Sequence, residues 1–161
     1  MTRAQDPGAI PDRARPVRYE IRSEAMTRAE LHALGSSDSN MHERPWPTAV
    51  RAYAIDHDGG KRPVRHHARH SPAGFEFGYA GSGPAELARC LLIDLYDVHD
   101  LADSDVALGG RDPLPVSYQE FKRAFIARLD RAQRHHSILV SDIDAWAREH
   151  PHPRPPHNDQ P

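Results

Sequence analysis

Three histidines, His66, His67 and His70, stand within five residues of one another, with His57 a short distance before them. Imidazoles are ligands for zinc, nickel and copper. Adjacent residues of an extended chain point to opposite faces, however, and no cysteine or carboxylate lies close by in sequence. The metal reading therefore reduces to a weak pair, His67 and His70, and no cofactor is expected. Ser82 has the nucleophile's hydroxyl, but Ala80 and Pro84 replace the glycines of a nucleophile elbow. Capping or turn bonding is its expected role. Asp56, Asp58 and Gly60 begin like a calcium loop but lack the later ligands, so a turn is expected there. No residue is assigned a catalytic role. A metal-dependent enzyme or hydrolase is carried only as an alternative.

The glycine-rich stretch 74–84 has a different character. Phe75, Phe77 and Tyr79 alternate with small residues, and Gly81, Ser82, Gly83 and Pro84 run into an apolar helix. A glycine loop before a helix can cradle an anion with free N–H groups. Here Pro84 removes a donor and Glu86 opposes negative charge, and the spacing is neither a P-loop nor a dinucleotide fingerprint. The aromatics, with Ser82 and Gly83, are the expected binding surface, and a protein is the expected partner. The alternative is a nucleic-acid-binding module using Arg51, Lys61, Arg62, Arg65 and Arg69, which face only Asp56 and Asp58 in that segment. The acidic residues between Asp97 and Asp112 offset that charge.

The elements that position these residues follow from periodicity. Residues 48–56 alternate, with Val50, Ala52 and Ala54 on one face and Arg51, Tyr53 and Ile55 on the other, which predicts a strand. Asp58-Gly59-Gly60 turns it into a second strand over residues 61–67, held to an edge by Pro63. Pro84 opens a helix to residue 96 or 98, capped by Ser82 or Gly83, with Leu87, Cys90, Leu91 and Leu95 facing inward. Ser117 and Glu120 form a capping box for a helix to residue 131, with Tyr118, Phe121, Phe125 and Leu129 as its buried stripe. Residues 136–140 suit a short third strand. Ser141 caps a last helix to residue 149, with Ile143 and Trp146 inward.

Fifteen prolines and 38% apolar residues are too sparse a mixture for 161 fully folded residues. Residues 1–45 are expected to be a disordered leader. It holds at most a short helix over residues 23–34, with Thr27 and Glu30 at capping-box spacing. Met26 and Met41 stand as internal start sites. Residues 46–149 are the expected domain, and residues 150–161 a disordered Pro/His-rich tail. The fold class is α+β, an antiparallel hairpin of two or three strands against about three helices. No apolar run reaches the roughly 18 residues of a membrane span, and no secretory h-region is visible. With Cys90 as the single cysteine, a cytoplasmic protein with no membrane partner is expected. A net charge of −2 selects no partner class.

The segment Phe75, Phe77, Gly78, Tyr79, Gly81, Ser82, Gly83, Pro84, Leu87, Ala88, the helix Tyr118, Phe121, Lys122, and the pair Ile143 and Trp146 resemble a small bacterial and phage family classed as a domain of unknown function. Phe77 stands where the family pattern has Trp, and Ala80 where it has Gly. The resemblance spans about residues 46–150 and implies no activity. With it, the expected function is a small, non-enzymatic accessory or interaction domain.

Overall fold

The computed structural model describes residues 14–35, 47–100, 102 and 114–152. It is an α+β fold built on a four-stranded antiparallel sheet. The strands are β1 (Arg18–Ala25), β2 (Thr48–Ile55), β3 (Lys61–Pro63) and β4 (His135–Leu139), in the spatial order β3-β2-β1-β4. The helices whose bounds are described are α1 (Arg28–Ala33), α2 (Ser82–Leu95), α3 (Tyr118–Phe121) and α4 (Val140–Glu149). A wider π turn, Lys122–Ile126, extends α3. Among the described residues, no helix is long and apolar enough to cross a membrane.

The largest correction concerns the segment expected to be a leader. Part of residues 1–45 is β1, which occupies an interior place in the sheet between β2 and β4. Its sequence alternates as a half-buried strand must. Tyr19 and Ile21 are fully buried towards the helices, while Arg18, Glu20, Arg22 and Glu24 share the opposite face. On that opposite face Arg18 and Arg22 flank Glu20 at 3.3 and 2.5 Å. Arg15, just before the strand, holds Asp144 of α4 through two hydrogen bonds of 2.9 and 2.6 Å. The Thr27–Glu30 capping box forms, but α1 is shorter than expected because residues 23–25 belong to β1. Residues 1–13 and 36–45 of that leader, residue 46, residues 153–161 of the tail, and most of the acidic connection lie outside the described residues.

The expected β2–β3 hairpin forms, with Ala54 opposite Arg62 and Ile55 opposite Lys61. β3 is shorter than expected and ends at Pro63, on the sheet edge. β4 is the anticipated third strand, shifted by one residue, and pairs with β1. The helix over 118–131 is shorter than its stripe suggested. At Lys122 the ladder widens, with Ala127 N–H reaching the Lys122 carbonyl. Phe121, Phe125 and Trp146 pack there with ring separations of 4.8 to 5.9 Å.

α2 is the centre of the fold. Every residue from Gly83 to Leu95 is buried. Leu87, Leu91, Leu92 and Ile93 fill the core against Tyr19, Ile21, Ala52 and Ala54 of the sheet. Its cap is Gly81 rather than Ser82 or Gly83, with no side-chain hydrogen bond. A helix buried on all sides must find internal partners for Glu86, Arg89 and Asp94.

Candidate functional site

The partners of Asp94 come from β1 and β3, and those of Glu86 and Arg89 come from residues 64–70, which lie along α2 after β3 ends. This strap makes few backbone contacts with the sheet, beyond a bond from Val64 N–H to the Ala52 carbonyl. Its donors go to α2 side chains instead. Glu86 accepts the backbone N–H of Arg69 at 2.7 Å and of His70 at 2.8 Å, and it lies 3.0 Å from the His66 ring. The His67 N–H donates to the Cys90 sulfur at 3.3 Å, and Arg89 donates to the His67 carbonyl at 3.4 Å. Asp94 accepts the Tyr19 hydroxyl at 2.8 Å and both Nη atoms of Arg62 at 2.5 and 2.9 Å. Burial first, then the Asp94 carboxylate, pushes the Tyr19 hydroxyl above the ordinary tyrosine range.

The histidines of the strap are divided among separate partners. His66 meets Glu86, His67 meets His99 at 2.8 Å, and His70 meets the Tyr118 hydroxyl at 2.7 Å. Among the described residues no group of three or more His, Cys, Asp or Glu is placed to hold a metal ion. The proposed nucleic-acid residues are divided as well. Arg62 shares the helix-facing side with Ala54 and is spent on Asp94. Arg51 is on the opposite face and pairs with Glu24 at 3.1 Å and Glu30 at 2.7 Å. Lys61 rests 3.8 Å over the Tyr53 ring. Arg65 and Arg69 lie exposed on the strap.

Just beyond the strap the chain turns back to the sheet and encloses a groove of about 810 Å³. Its floor is the outer margin of β2 where β3 stops. Consecutive residues from Thr48 to Tyr53 line it. Its opposite wall is Phe75, Phe77 and Tyr79. Phe75 is placed by a β-bridge to Val50 and by edge contact with His66 at 5.1 Å. Phe77 is buried and meets His136 edge-on at 4.9 Å. The Tyr79 hydroxyl donates to Glu76, and the Arg131 guanidinium sits 5.3 Å from the Tyr79 ring. Between these aromatics, Gly78 has a φ of 81° and donates to the Ile126 carbonyl at 3.0 Å. A Cβ there would lie 2.7 Å from the Leu129 carbonyl oxygen.

The structure thus gathers three of the five expected binding residues. Ser82 and Gly83 are not on the groove. Ser82 is exposed in the first turn of α2, and buried Gly83 leaves room for the Glu76 side chain. The sequence reading missed the β2 margin as the facing wall, and Arg131 as the rim cation. It also missed the Glu86, Asp94 and Tyr19 nodes that brace the strap behind the groove.

The model of a family of unknown function (DUF6166) matches residues 47–149. The chain belongs to that family. The matched span contains the strap, the groove wall, α2, α3, β4 and α4, but begins after β1. No curated protein and no solved structure matches the chain.

Proposed function

We propose that this member of the family is a small accessory domain that binds another protein through the groove between β2 and the Phe75–Tyr79 turn. The observation that carries this reading is the contrast in how side chains are used. Behind the groove, the buried carboxylates of Glu86 and Asp94 on α2 are matched by internal partners. In the groove, half-exposed aromatics face a sheet margin and an open volume of binding-site size. The reading is of a binding module without chemistry of its own. An accessory role of the kind found in bacterial and phage genomes follows from the family resemblance alone.

The test is affinity capture from the native cell with the wild-type chain and with Phe75→Ser. A partner retained by the wild type and lost by a folded Phe75→Ser supports the reading. The same partner retained equally by both variants overturns it.

A further inference from the structure

We propose that the groove takes an extended segment of the partner protein in which an apolar side chain stands beside a carboxylate, with the carboxylate bound by Arg131. This rests on the groove being the binding face.

Shape argues for an extended chain. Six consecutive residues of β2, Thr48, Ala49, Val50, Arg51, Ala52 and Tyr53, border the groove. At the rise of a strand they span roughly 17 Å, the length of about five extended residues. Beyond the end of β3 at Pro63, Val64 N–H takes the Ala52 carbonyl and Phe75 bridges Val50, which leaves the start of this margin, at Thr48 and Ala49, for an added chain, and sheet margins are where extended peptides add.

Charge argues for the carboxylate. Arg51 and Glu30 at the groove neutralise each other, and His66 is taken by Glu86. Glu76 is occupied by the Tyr79 hydroxyl. Arg131 is exposed and, among the described residues, has only the Tyr79 ring as a partner. Its planar set of N–H donors matches a carboxylate in two-point geometry. A phosphate is a poorer fit, since phosphopeptide sites use clusters of arginine and the groove's other arginine, Arg51, is held by Glu24 and Glu30.

A displayed library of random octapeptides, selected on the full chain, tests the proposal. The expected result is enrichment of sequences with Asp or Glu next to an aromatic or aliphatic residue. Arg131→Gln, on the exposed rim, should bind the selected peptides about tenfold more weakly, as loss of a charge-assisted pair implies. Arg131→Glu should shift selection towards Lys and Arg. Enrichment of apolar peptides without an acidic preference, unchanged by Arg131→Gln, overturns the carboxylate and leaves the groove reading standing. No enrichment over that on Phe75→Ser overturns the groove reading itself.

Discussion

Residues 64–70 and 74–79 are close in sequence and both are rich in rings and polar groups, yet the fold uses them in opposite ways. In the strap, the backbone N–H groups of His67, Arg69 and His70 each find an α2 side chain, and three histidine rings each find their own partner. In the turn, Phe75 and Tyr79 stay half exposed, and the guanidinium over Tyr79 faces outward. A polar network buried along a helix serves as structure. Rings and a cation held rigidly at the surface are available for a partner. The histidine cluster, which looked the more chemical of the two in the sequence, is therefore the brace, and the plain aromatic turn is the candidate site.

Variants of the brace and of the turn test that contrast. Glu86→Ala strips the acceptor from two buried N–H groups and from His66. It should cost about 3–5 kcal/mol in denaturant unfolding, the range for leaving buried polar groups without their charged partner. A cost near zero would mean the strap is not braced this way. Gly78→Val sets a branched side chain at positive φ against the Leu129 carbonyl. It should cost about 2–3 kcal/mol, more than the same change at Gly81, where φ is not positive and the obstruction is the Tyr79 ring. The unfolding free energies of the two variants, compared side by side, check that order.

Tyr19→Phe should cost about 1–2 kcal/mol at neutral pH through the lost bond to Asp94. It should also change the alkaline limb. The hydroxyl is held neutral in the fold and titrates near 10 when unfolded. Its contribution is complete below pH 10 and is lost as pH rises above that. Stability measured from pH 8 to 11 should fall less steeply in the variant. At the small end is Glu30. The Thr27 backbone N–H, then the Arg51 guanidinium, hold its carboxyl at about 2. Its contribution is present at neutral pH and is lost as pH falls from the ordinary carboxylate range through about 2. Glu30→Gln should flatten that acid limb slightly in thermal unfolding, and an unchanged limb would discount the capping box. Phe75→Ser gives up the packing of a partly buried ring on the core, roughly 1–2 kcal/mol, and should leave a folded chain with a cooperative unfolding curve while binding is lost.

Much of the fold was legible because its periods are local. The Val50–Ala52–Ala54 alternation, the glycine turn after Asp58 and the apolar run after Pro84 each declare their element. β1 was equally periodic, with Tyr19 and Ile21 alternating against Arg18, Glu20, Arg22 and Glu24. It was hidden by its proline-rich neighbourhood and by having only two large apolar residues. The π turn was not legible: Phe121 and Phe125 meet Trp146 beside it, a tertiary contact that local spacing does not encode. The groove was legible on one wall only. Phe75, Phe77 and Tyr79 announce themselves, whereas the Thr48–Tyr53 margin and Arg131 join them through tertiary contacts that sequence spacing does not encode.

The interior position of β1 also sets the order in which the protein can be completed. Arg15 and Asp144 meet across 129 residues of chain, and Arg18 pairs with Leu139 beside them. During synthesis β1 emerges before the other three strands, and β4, its partner on one side, emerges last. Until then β1 has one unpaired edge, so closure of the sheet waits for nearly the whole chain. Refolding governed by so distant a pairing should be slow for a domain of this size.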